Sequence, residues 1–286
     1  MRSGTLINGN PDCTVTAVDR GFLYGDGLFE TVAVVGGDLP LWPRHWKRLE
    51  SGARRLGLPP PSETAFRGDL ERLLPLADGD NAVLRLQYTA GSGGRGLQRP
   101  ATVTPTRVAS LLPYPRRPEV YWESGVRLHV CATRIAEQPA LAGIKHCNRL
   151  EYVLARGEWS DEHIPEGLLL DTQNKVCEGT ISNVFAVRQG ALLTPSLDRC
   201  GVHGVMRAIV LEQASEWGMT VEQGRYTLDD WLAADELFLT NSLIGIWPVR
   251  VLLDQHWQVG PITRRLQQAI GTAGLAPIPD RAMNKV

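Results

Sequence analysis

Leu141-Ala-Gly-Ile-Lys145-His-Cys-Asn148-Arg149-Leu150-Glu151-Tyr-Val-Leu-Ala-Arg156 is the stretch from which the rest of the chain can be read. Only four lysines, Lys47, Lys145, Lys175 and Lys285, stand against twenty-six arginines. Of these, Lys145 alone follows a small, apolar lead-in able to bury its amine. Burial disfavours the ammonium form, so this lysine is the one poised to act as a nucleophile or base. The competing reading is a partly buried structural lysine, and the surrounding sequence has to decide between them.

Working outward, 286 residues suffice for a sizeable core and for two domains as readily as one. A formal net charge of -1 gives no electrostatic case for nucleic acid or an anionic membrane surface. Five widely spaced cysteines without a C-x-x-C pair indicate neither a disulfide framework nor a zinc site, and fit a reducing, cytoplasmic compartment. The N-terminus lacks the apolar run of a signal peptide, and no window approaches the ~20 apolar residues of a membrane span. The six histidines show no ligand spacing, so no metal centre is expected.

Toward the N-terminus the patterning predicts strands at Thr5–Ile7, Thr14–Val18, Leu28–Val35, Ala82–Thr89 and Thr106–Leu112. Helices are expected from Pro43 to Gly57 and over Ser62–Leu76. Three prolines in Pro113–Pro118 read as a stiff linker. We therefore expect a small N-terminal α+β domain over 1–112, a linker over 113–120 and a larger cofactor-binding domain over 121–286. Beyond the linker, strands are expected at Val126–Thr133, Gly167–Asp171, Ile181–Val187, Ala191–Thr194 and Glu236–Thr240. Helices are expected at Asn148–Trp159, His203–Trp217, Leu228–Ala233 and Ile262–Ile270, with a loose tail from Pro277. The absence of a strict βαβ rhythm favours two α+β domains over a doubly wound parallel sheet.

Several turns carry chemistry. Gly91-Ser-Gly-Gly-Arg95-Gly96 matches G-x-G-x-x-G, but no helix can follow through Pro100, which excludes a dinucleotide fingerprint and leaves a flexible loop bearing Arg95. Asp19-Arg20-Gly21-Phe-Leu-Tyr24-Gly25-Asp26-Gly27-Leu-Phe29 sets glycines among aromatics and acids, which lets backbone approach a ligand. Glu178-Gly-Thr-Ile-Ser182-Asn183 combines an acid with polar donors. Gly204-Val205-Met206-Arg207 offers free N–H groups at a helix start, a ready anion site, and Thr240-Asn241-Ser242 adds donors after a strand. A lysine, an acid and a phosphate cradle together are what a pyridoxal phosphate enzyme needs.

These segments, with His45-Trp-Lys-Arg48-Leu49, resemble the fold-type IV pyridoxal phosphate enzymes, the class IV aminotransferase family, from Ile7 to about Arg250. The resemblance implies an α+β, two-domain, D-amino acid aminotransferase-like architecture and a homodimer with pyridoxal 5'-phosphate as cofactor. It implies Lys145 as the lysine that bonds the cofactor and Glu178 as partner of the ring nitrogen. Arg48, the N–H groups of Val205 and Met206, and Ser242 would hold the phosphate, Ser182 and Asn183 would support the carboxylate and ring, and Asn241 would also bind the cofactor. Lys145-His-Cys-Asn-Arg-Leu-Glu151, the glycine loop and Asn241-Ser-Leu-Ile-Gly-Ile-Trp-Pro248-Val resemble the lyase branch, which splits 4-amino-4-deoxychorismate. Leu97 departs from the aromatic frequent there. A two-carboxylate substrate would call on Arg95, Arg149 and Arg107, with Phe29 near it. A D-amino or branched-chain aminotransferase is the alternative, and a non-catalytic cofactor-binding relative a remoter one.

Overall fold

The structure is a computed structural model and describes residues 3–279. It divides into two compact units, one running to Pro115 and including Ile144–Asn148, the other comprising Arg116–Gly143 and the chain from Arg149 onward. The segment bearing Lys145 is thus grouped with the first unit, whereas the sequence reading had assigned it to the region 121–286.

The first unit is built on an antiparallel sheet of β1 (Gly4–Ile7), β2 (Gly27–Val34), β3 (Ala82–Thr89) and β4 (Thr106–Pro113), in the order β1-β4-β3-β2. Its α-helices are α1 (Arg20–Tyr24), α2 (Trp42–Arg55) and α3 (Glu63–Leu73). Pro43 sits in the first turn of α2, where a missing N–H costs nothing. Ser62 caps α3 by accepting from the Ala65 N–H at 3.2 Å. Trp46, Leu49, Phe66, Val32, Leu84 and Leu86 form the core between helices and sheet. Thr14–Val18 is not a strand: no neighbouring strand pairs with it, and Val15 and Val18 stay exposed despite their alternation.

In the second unit, α4 (Val120–Glu123) lies at the end of the expected linker. There follow β5 (Val126–Ile135), α5 (Leu150–Arg156), β6 (Glu166–Asp171), β7 (Val176–Gly179), β8 (Asn183–Arg188), β9 (Ala191–Pro195) and α6 (Val205–Glu216). The unit closes with β10 (Val221–Gly224), α7 (Leu228–Leu232), β11 (Glu236–Asn241), β12 (Gly245–Leu252), β13 (Gln255–His256) and α8 (Pro261–Thr272). The strands make a curled mixed sheet in the order β10-β9-β8-β11-β12-β5-β6-β7, with β13 on β12. The patterning missed β7, β10, β12 and β13; β12, buried on both faces, reads as a nearly continuous apolar run in which alternation is lost. Phe185 of β8 stacks on Phe238 of β11 at 5.1 Å, and Trp247 of β12 meets Tyr121 and Trp122 edge-on. Architecture in both units is α+β. Only 277–279 of the expected loose tail fall within the described residues.

Candidate active site

Lys145 is positioned by backbone pairing. Its carbonyl accepts from the Phe29 N–H at 3.1 Å, and the Cys147 N–H donates to the Gly27 carbonyl at 2.9 Å, so residues 145–147 run along the edge of β2. The half-buried amine lies 4.3 Å from the Phe29 ring centroid, a cation–π distance. Beside Phe29, strand alternation turns Glu30 inward with Leu28, Val32 and Val34, and only 1% of it is exposed. Its carboxylate accepts from His45 Nδ1 at 2.7 Å, and from Arg48 Nε at 2.8 Å and Nη2 at 2.5 Å. Burial opposes the charge, but the Arg48 guanidinium and His45 outweigh it and hold the Glu30 carboxyl down at about 2. Burial, aided by Arg48 and Lys145, pushes His45 below its ordinary value despite Glu30. His45 is therefore neutral at pH 7, its proton on the Nδ1 that faces the carboxylate. Sequence reading found Arg48 and missed Glu30, although an acid at an inward position of an apolar strand is a visible signal.

The second unit carries the acid. Glu178 on β7 is 3% exposed and accepts from Tyr152 Oη at 2.6 Å, Asn183 Nδ2 at 3.0 Å and the Val202 N–H at 2.9 Å. Burial and the Glu178 charge push the Tyr152 phenol well up, so Tyr152 stays a donor. Asn183 Nδ2 also donates to the Val202 carbonyl at 2.9 Å, tying the 200–204 turn to the acid. Gly201 has φ +80°, and a Cβ there would sit 2.9 Å from Cys177 Sγ and 3.2 Å from the Glu178 carboxyl carbon, so glycine is required twice over.

Beyond this turn α6 begins at Gly204 with no side-chain cap. The Val205 and Met206 N–H groups therefore start a twelve-residue helix with its positive end unsatisfied by any side chain. Arg207, 6% exposed, donates through Nη2 to the Pro195 carbonyl and Gln223 Oε1, while its buried Nε has no hydrogen-bond partner. Burial draws it down to about 10 against the pull of Glu178, which leaves it cationic at pH 7.

Ser182 Oγ donates to Glu166 Oε2 at 2.8 Å. Glu166, fully buried, also accepts from the N–H groups of Gly167, Thr180 and Ile181 and from the Thr180 hydroxyl. It thereby fixes the turn joining Glu178 to Asn183, a role the sequence reading did not assign. Asn241 uses its side chain within its own turn, accepting from Leu243 and Ile244 and donating to the Ile181 carbonyl at 3.0 Å. Ser242 follows it, 9% exposed.

Of the candidate substrate arginines, Arg95 is exposed on the glycine loop and Arg149 lies 4.6 Å over the Tyr152 ring. Arg107 is paired with Asp69 at 2.6 Å and stacked on Phe66, so its charge is already neutralised. Among the described residues no helix is long and apolar enough to cross a membrane, and no group of three acids, histidines or cysteines could hold a metal ion.

The amino-transferase class IV family profile matches residues 27–252. An aminodeoxychorismate lyase of Vibrio harveyi is 37% identical, covering 93% of this chain and 99% of that protein. A crystal structure of 4-amino-4-deoxychorismate lyase from Pseudomonas aeruginosa superposes with TM-score 0.88 at 47% identity, over 94% of this chain and 98% of the other. A putative branched-chain-amino-acid aminotransferase of Methanocaldococcus jannaschii is 33% identical over 90% of both chains.

Proposed function

The chain belongs to the amino-transferase class IV family, and from that premise we propose that it is a pyridoxal phosphate-dependent lyase converting 4-amino-4-deoxychorismate to 4-aminobenzoate and pyruvate. The observation that carries this reading is the whole-length likeness to lyases, at 37% and 47% identity. It is supported by the Lys145–Glu151 segment.

The donor sets fit the cofactor. In the first unit a half-buried lysine amine stands beside an aromatic ring. The second holds a carboxylate under three donors, an uncapped helix start, and an arginine with a buried, unpartnered Nε. When bound, pyridoxal phosphate supplies an aldehyde for amines and a ring that accepts electrons. Lys145 would bond that aldehyde and, once freed by the substrate amine, take the proton from the substrate carbon bearing that amine. It would then return a proton to the departing enol as the substrate ring becomes aromatic. Tyr152, Asn183 and the Val202 N–H keep Glu178 oriented as an anion able to hold a proton at the ring nitrogen. The N–H groups of Val205 and Met206, with Arg48 and Ser242, would hold the phosphate. Arg95 and Arg149 would grip the substrate carboxylates, with Phe29 alongside, and Arg107, already paired with Asp69, stands behind them.

A homodimer belongs to the proposal. Phe22 at 74% exposure in the first unit, and Leu150, Val153 and Leu154 in the second, are apolar surfaces that a second copy would cover. We place the enzyme in the cytoplasm, a reducing compartment that fits five widely spaced cysteines with no C-x-x-C pair.

The test supplies chorismate, glutamine and a partner synthase, with and without this protein, and measures 4-aminobenzoate. A lyase forms it without an amino acceptor, whereas an aminotransferase does not. The Lys145→Ala variant should lose both turnover and the absorbance at roughly 410–420 nm of the cofactor-loaded protein. Retained turnover would sink the assignment of Lys145.

A further inference from the structure

The glycine loop that sequence reading left flexible is held from inside. Arg95 and Gln98 exchange backbone hydrogen bonds, each at 3.1 Å, closing a tight turn with Gly96 and Leu97 at its tip. Gly96, at φ +57°, takes the first central position, where such hairpin tips call for glycine. In a two-residue turn the carbonyls of the central residues point away from the ladder and need another partner.

Here that partner is a buried cation. Arg20, 3% exposed at the start of α1, donates from Nη1 to the Gly96 carbonyl and from Nη2 to the Leu97 carbonyl, both at 2.9 Å. Longer contacts of 3.4 Å reach the Gly93 and Gln98 carbonyls. Its Nε donates to Asp26 at 2.9 Å, and its ring partner is Tyr24 at 5.0 Å. Asp26 is gripped again by Arg99, through Nε at 2.9 Å and Nη2 at 2.5 Å, and Arg99 in turn donates to the Leu56 carbonyl at 2.7 Å. The base of the loop is pinned separately, by the Arg20 N–H on the Gly91 carbonyl at 2.7 Å and by Thr16 and Ser92 hydroxyls 2.9 Å apart. The loop is therefore threaded around a planar guanidinium whose fork matches two diverging carbonyls, a geometry an ammonium cannot reproduce. What it leaves outward are the side chains of Arg95, exposed, and Leu97, 81% exposed.

We propose that Arg20 is a positioning residue for substrate affinity: by clamping the 93–98 carbonyls it presents Arg95 and Leu97 in one fixed geometry. The clamp deepens the lyase reading and rests on it for the identity of what the loop meets. Ordering the loop in advance removes the entropy that binding would otherwise have to overcome, so loosening it raises KM and leaves the chemical step alone.

Arg20→Lys keeps the charge and removes the fork. In the full-length, cofactor-loaded protein it should raise KM for 4-amino-4-deoxychorismate about tenfold, the scale of one lost well-aligned charge-assisted contact, with kcat held within about twofold. Amide hydrogen exchange of the 91–98 segment, measured without substrate, should speed up in parallel. Gly96→Ala is the independent second variant: a Cβ there meets nothing within 4 Å, but φ +57° strains any L side chain, so the turn loosens while the fold is spared. It should reproduce both effects, and it carries the test if Arg20→Lys does not fold. Faster exchange with unchanged KM would overturn the proposal, as would unchanged exchange or a fall in kcat as large as the rise in KM. Absence of lyase turnover in the unmodified protein would defeat the functional reading instead, and the exchange measurement would still judge the clamp.

Discussion

Replacing Glu30 by glutamine removes the charge that His45 and Arg48 share and leaves the shape of the side chain. The carboxyl is held at about 2 against an ordinary 4.5, and 1% of the residue is exposed, so solvent screening discounts little. At 1.36 kcal/mol per pH unit, that depression corresponds to about 3 kcal/mol of stabilisation of the ionised form in the folded state. The sign follows from the direction. A depressed carboxyl contributes its stability in full above the unfolded value of 4.5 and loses it as pH falls toward 2. At pH 7.5, where His45 is neutral, Glu30→Gln should therefore lower the unfolding free energy by about 3 kcal/mol, because Arg48 keeps at most one of its two bonds and stays largely buried. Denaturant titration of wild type and variant at that pH measures the difference. Raising ionic strength should leave it nearly unchanged, since the pair lies out of solvent. A deficit below about 1 kcal/mol, or one that salt abolishes, would refute the argument, because it would mean the charge is solvated after all.

Three further outcomes follow from the second unit. Glu166→Ala leaves the Thr180 and Ser182 hydroxyls and three backbone N–H groups without their acceptor, so thermal unfolding should reveal a loss of about 3 kcal/mol, or roughly 6–12 °C in Tm. Tyr152→Phe removes the 2.6 Å donor on Glu178 and should cost about 2 kcal/mol in denaturant, together with a weaker hold on pyridoxal phosphate by equilibrium dialysis. Gly201→Ala forces a side chain into φ +80° against Leu197 and Cys177; it should lower stability by at least about 1 kcal/mol and reduce cofactor uptake, and a variant indistinguishable from wild type would contradict the packing described.

Much of the protein was legible before any coordinates. A lysine without competitors, an acid ahead of a Ser-Asn pair and glycine before an apolar helix are local statements; Gly204 does cap α6, whereas Glu178 lies on β7, a strand the patterning missed. Strand alternation likewise anticipated β2, β3 and β4. The side chains that hold these groups in place were not legible in the same way. Glu30, Glu166, Tyr152 and Arg20 carry no distinguishing neighbours, and their partners are 15, 16, 26 and more than 70 residues away along the chain. Thr14–Val18 shows the converse, since alternation without a pairing neighbour makes no strand. Sequence fixes which groups can do chemistry because composition and spacing are properties of a few adjacent residues. Only tertiary structure decides how those groups are charged and aimed, because burial and hydrogen bonding across the fold set both. The glycine loop is the plainest case: its residues promise flexibility, and a guanidinium from the first helix holds two of its carbonyls.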